Sequence, residues 1–105
     1  MTRVYVDISL FTPNSSVGVI NGHIDVAEVP SEGGIVAFDK PMAPTAPPGI
    51  VEFQSRLLVE HVSPPAPGTQ EVMLSLADIT VATRADALKV AKYLEEGFGL
   101  YFNEH

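Results

Sequence analysis

Cysteine is absent from all 105 residues. That excludes a disulfide framework, a zinc–thiolate site, an iron–sulfur cluster and a cysteine nucleophile. A small domain with no such staple suits a reducing compartment, so the cytoplasm is the expected location. Basic residues are scarce as well: 6 Lys and Arg stand against 13 Asp and Glu, for a net charge of −7. Such a surface repels nucleic-acid phosphates and anionic lipid headgroups, so neither nucleic acid nor membrane is an expected partner. No stretch approaches the ~18 consecutive apolar residues of a membrane-spanning helix. The N-terminus has one Arg and then alternates, without the continuous apolar run of a signal peptide. The sequon Asn14-Ser15-Ser16 is discounted for the same reason.

Motifs of chemistry are equally sparse. There is no G-x-S-x-G elbow, no Walker A sequence, no G-x-G-x-x-G, and no H-E-x-x-H or EF-hand spacing. The few Lys and Arg are scattered, so no basic patch interleaves with aromatics. Gly97-Phe98-Gly99 follows a helical pattern instead of opening one, which makes it a cap and not a phosphate cradle. No cofactor, no metal and no catalytic residue is expected.

What remains is a folding pattern. Hydrophobic residues make up 46% of the chain, enough for a core in a single domain spanning 1–105. In RVYVDISLF, Val4, Val6, Ile8 and Leu10 share one side, while Tyr5, Asp7 and Ser9 share the other; this is a half-buried strand. A TPNSS loop follows. In SVGVINGHIDVAEV the apolar parity changes, from Val17 and Val19 to Ile24 and Val26. A type I′ turn at Asn21-Gly22 accounts for this by pairing Val19 with Ile24; a bulge in one longer strand is the alternative. IVAF reads as a short strand after the VPSEGG turn. The proline-rich DKPMAPTAPPG reads as an exposed connector, with weak P-x-x-P spacing at Pro41, Pro44 and Pro47.

IVEFQSRLLVEHV alternates as a strand, with Val51, Phe53, Leu57 and Val59 on one face and His61 in line with them; a helix, with Glu52, Arg56 and Glu60 as an i,i+4 ladder, is the alternative. The SPPAPGTQ loop then leads to a partner strand, EVMLSL, whose register breaks near Ala77-Asp78. TRADALKVAKYLEEG is a helix. Thr83 is its N-cap, Asp86 occupies the capping-box position, and Gly97 is the expected C-terminal cap. FGLYF supplies a last strand or a packed tail. The fold expected is mainly β in the α+β sense: an antiparallel curved sheet or small open barrel with one C-terminal helix.

The function that fits best is a small acidic, non-catalytic protein-binding module. An inhibitor, immunity-type or regulatory subunit that docks on a larger basic protein fits this description. The candidate partner-binding residues are Asp25, Glu28, Glu32, Glu52 and Glu60, together with Tyr101 and Phe102 from the aromatic tail. An alternative is a small metal-binding or hydrolytic barrel built on His23 and Asp25, two apart on one strand face, with His61 as a third group. The last alternative is a self-assembling structural subunit, a homo-oligomer joined through a sheet edge or the aromatic tail. His105 is terminal, where mobility is the expectation.

Overall fold

The computed structural model describes residues 2–38, 49, 50, 52, 53, 55–65, 67, 68 and 71–105. The proline-rich connector with Pro41, Pro44 and Pro47 lies outside them, as do Val51 and Gln54. The elements run β1 (Thr2–Thr12), β2 (Ser15–Val26), β3 (Ile35–Ala37), β4 (Arg56–Ser63), β5 (Met73–Leu76), β6 (Ile79–Thr80), α1 (Arg84–Phe98) and β7 (Tyr101–Glu104). They form one open seven-stranded sheet in the order β3-β4-β5-β1-β2-β7, with β6 also paired to β1. The chain is mainly β with one helix near its C-terminus, as its periodicity predicts. The sheet does not close into a barrel.

β1 organises the molecule. Val4, Val6, Ile8 and Leu10 are fully buried on one face. Burying each such side chain is worth about 1.5–3 kcal/mol, so this strand alone anchors much of the core. The sheet is not wholly antiparallel, because β5 and β6 both run parallel to β1. β7 pairs antiparallel to β2 and therefore runs in the direction of β6. The link β6-α1-β7 is thus a parallel crossover that carries the helix over the β1–β2 pair. Ala87, Val90, Ala91, Leu94 and Phe98 give α1 its buried stripe against the inner sheet face.

The turn expected at Asn21-Gly22 is not there. β2 runs unbroken through both residues, and the hairpin turns at Pro13-Asn14. The parity change arises earlier, at a bulge. Leu10 faces Gly18 and Phe11 faces Ser16, so Val17 has no partner and is turned inward. Beyond the bulge the even residues Ile20, Gly22, Ile24 and Val26 face the core and Val19 faces away. Gly22 sits mid-strand because Leu100 crosses there: a Cβ would meet Leu100 Cδ2 at 3.0 Å, and φ is 150°. Asp25 consequently lies opposite Arg3, not opposite Gly18.

A second bulge corrects β4. The strand begins only at Arg56, after Ser55 at a φ of 60° and a turn in which Phe53 N–H donates to Ile50 O at 3.0 Å. Its register then shifts between Val59 and His61. His61, expected in line with Leu57 and Val59, is carried to the opposite face and its side chain is 64% exposed. The break at Ala77-Asp78 separates β5 from β6 as expected.

The helix starts as its capping residues predict, with Asp86 N–H donating to Thr83 Oγ1 at 3.1 Å. It ends two residues late. Gly99, at a φ of 70°, is the cap in place of Gly97, and its N–H donates to Glu95 O at 3.1 Å. The extra residues bring Phe98 into line with Val90 and Leu94, where its ring meets Phe38 and Tyr93 edge-on at 5.1 and 5.6 Å. The backbone of His105 is tied down, since its N–H donates to Val17 O at 3.0 Å. A radius of gyration of 13.3 Å is that of a compact chain of this length.

Candidate functional site: an open sheet face and the groove beside it

α1 covers one face of the sheet, and among the described residues no element packs on the other. That open face is built by register. His61 on β4, Ser75 on β5, Asp7 on β1, Asn21 on β2 and Tyr101 on β7 are successive Cα partners, so they form one row across five strands. The next row carries Met73, Tyr5 and His23; beyond it come Arg3 and Asp25. On the other side Ser9, Val19 and Asn103 make a further row. The centre is half-buried, whereas Tyr101 at the rim is 69% exposed.

The chemistry of this face is that of recognition. Tyr, Ser and Asn offer contact area and adaptable hydrogen bonds at low entropic cost. Asn103 Nδ2 donates to Asn21 Oδ1 at 3.5 Å. At the centre, Asp7 Oδ1 is enclosed and has no hydrogen-bond partner among the described residues, a costly arrangement. Toward the lower rows His23 Nε2 lies 2.6 Å from Glu71 Oε2, Arg3 Nε lies 4.0 Å from Glu71 Oε1, and the Tyr5 ring meets His23 edge-on at 5.2 Å. Among the described residues Asp7, Asp25 and Glu71 stand on this face around Arg3, and the β4 register turns Arg56 to the same side.

A groove of about 910 Å³ opens beside the face, between the end of β2 and strand β3. Its floor is apolar, with Ile24, Val26, Val36, Phe38 and Phe98; Arg3, Asp25, Glu28 and Arg56 stand around it. Tyr93 Oη donates to Phe38 O at 2.7 Å, which pins β3 to the helix and fixes one wall.

The residues singled out from the sequence are dispersed by this geometry. Asp25 sits at the corner where face and groove meet, and Glu28 stands on the groove wall. Glu32 is engaged elsewhere: its Oε1 lies 3.2 Å from His61 Nδ1 and accepts from Val62 N–H at 3.4 Å. Glu52 and Glu60 are exposed, Glu52 in the turn before β4 and Glu60 at the β4 bulge. Tyr101 ends the central row, while Phe102, on the opposite side of β7, packs half-buried against the core. The His23–Asp25–His61 constellation does not assemble. His23 takes Glu71 as its partner, His61 takes Glu32, and three strand spacings of ~4.8 Å separate the two imidazoles' strands. Among the described residues no group of three His, Asp or Glu is placed to hold a metal ion.

No family model, curated protein or solved structure matches this chain. Its reading therefore rests on its own residues. Asn21, Ser75 and Glu71 were not singled out by sequence. Tyr5, Asp7 and Ser9 fall on the polar side of β1 by alternation, but alternation does not say which strands flank them. Among the described residues no helix is long and apolar enough to cross a membrane.

Proposed function

We propose that this chain is a small acidic, non-catalytic protein-binding module that docks through its open sheet face on a basic surface of a larger protein. The observation that carries this reading is the row His61, Ser75, Asp7, Asn21 and Tyr101, on a sheet face that no element covers among the described residues. The half-buried Asn21 and Ser75 and the exposed Tyr101 of that row offer a partner contact area and hydrogen bonds at low entropic cost. The net charge of −7 steers a basic partner onto the surface. A regulatory or inhibitory subunit acts in this way.

The experiment is capture of a partner from the native source by the wild-type chain, followed by association kinetics with the purified partner. Variants Glu71→Lys and Tyr101→Ala alter the face; Lys89→Glu, on the exposed side of α1, is the control. The expected result is a partner lost with either face variant, retained with the control, and slowed in association by added salt. A partner held equally by all four proteins, or with an on-rate indifferent to salt, overturns the reading.

A further inference from the structure

The open sheet has two ends, and they differ. At the β7 end, Phe102 N–H is already taken, donating to Glu95 Oε2 of α1 at 3.3 Å. At the β3 end the amides are directed by register. Val59 N–H donates to Gly34 O at 2.8 Å and Phe38 N–H donates to Ser55 O. Residues 34, 36 and 38 therefore turn their peptide groups toward β4, and alternation turns those of Ile35 and Ala37 away from it. Among the described residues these outward groups have no partner strand. β3 also forms one wall of the groove. Among the described residues this unpaired edge and the apolar floor thus lie in one place, the arrangement that receives an added strand.

Charge selects the occupant. Of the groove's arginines, Arg3 is shared with Glu71 and Arg56 is engaged. Asp25, whose strand partner is Arg3, and Glu28, on the β2 side, form no ion pair within 4 Å among the described residues. We infer that the groove binds an extended cationic segment of a partner protein, with Lys or Arg alternating with apolar residues, paired as an extra strand on β3. Its apolar side chains would enter toward the half-buried Ile24 and Val26, and its cations would meet Asp25 and Glu28. The inference rests on the protein-binding reading only in taking the occupant to be polypeptide; the surface is a different one.

The test is an NMR titration of the full chain with an acetylated, amidated octapeptide alternating valine and lysine. Two control peptides accompany it: the same octapeptide N-methylated at alternate residues, in both phases, and a valine–glutamate version. The expected result is saturable binding with shifts at residues 24–28 and slowed exchange of the Ile35 and Ala37 amide protons. Affinity should fall at least about tenfold for the N-methylated phase that faces β3, because it loses the edge hydrogen bonds. The glutamate peptide should not bind. Ala37→Pro, which removes one outward N–H, should weaken binding similarly; if that variant does not fold, the N-methylated peptides decide alone. Glu28→Lys should weaken binding and Tyr101→Ala, at the far rim of the open face, should not, which separates this groove from the open face. Absence of saturable binding, equal affinity for the N-methylated peptides, or shifts confined to β7 or the open face would refute strand addition.

Discussion

Gly18→Ala puts the β2–β7 register to the test. The added Cβ would lie 2.4 Å from Asn103 O, 2.6 Å from Phe102 Cε1 and 3.0 Å from Glu104 Cα. Two of these atoms are β7 backbone, so no side-chain rotation clears them. Restoring ordinary contact near 3.5 Å requires β7 to move by about 1 Å. Overpacking of this kind costs about 1–3 kcal/mol. Lifting β7 also exposes part of Phe102, worth about another 1 kcal/mol. The expected loss is about 2–4 kcal/mol, a fall in Tm on the order of 10–25 °C for a domain of this size. The sign is diagnostic. At an uncrowded strand position the same substitution stabilises by about 0.4–1 kcal/mol, because the unfolded chain loses freedom. Urea unfolding followed by circular dichroism, with amide exchange at Asn103, measures both the energy and its location. A Gly18→Ala variant as stable as wild type would show that β7 does not lie where it is described, and the row ending in Tyr101 would lose its fifth strand.

Tyr93→Phe should cost about 1–3 kcal/mol in urea unfolding, since it leaves the buried Phe38 carbonyl without its donor. The same variant should accelerate amide exchange in β3, the groove wall. Gly99→Ala should cost about 1–2 kcal/mol by thermal melt: nothing lies within 4 Å of the added Cβ, so the effect is left-handed strain alone. An equal cost at Gly97 and none at Gly99 would mean that the helix ends two residues earlier. Asp7→Asn should be neutral or stabilise the isolated domain by up to about 1 kcal/mol, because it removes the charge behind an enclosed, unpartnered oxygen. It should weaken partner binding at the same time; stability and affinity moving together in one direction would contradict a recognition role for Asp7.

Much of the fold follows from local pattern. The inward side of β1, the helix with its Thr83 cap, the β4–β5 pair and the break at Ala77-Asp78 each depend on residues within one segment or its neighbour. The two misplacements share one cause. A bulge adds a residue to a strand and inverts the faces of everything beyond it. In β2 the Val17 bulge imitates a turn five residues further on, and Asn21-Gly22 supplies a persuasive turn sequence at the wrong place. In β4 the bulge at Glu60 sends His61 outward, away from the apolar residues it follows in sequence. The late helix end has a different origin. Phe98 has no value to an isolated helix, and it extends α1 only because Phe38 and Tyr93 await it in the tertiary structure.

The candidate site was harder to see because it belongs to no segment. Its central row takes one residue from each of five strands, spread from Asp7 to Tyr101. Alternation assigns each of those residues to a polar side, and there they resemble ordinary surface positions. Only the strand order puts Ser75 and Asn21 on either side of Asp7, and that order includes a parallel pairing that no hairpin signal announces. Acidic residues attract notice through charge, yet charge does not report whether a neighbour has already consumed it. Glu32 is spent on His61 and on the β4 backbone, whereas Asp25 and Glu28 are left facing a groove. The distinction that matters for recognition is therefore between polar groups satisfied within the domain and those held in place without a partner. Among the described residues the outward amides of β3 and the pair Asp25 and Glu28 belong to the second kind, and a bound protein that supplied their donors and acceptors would gain from each of them.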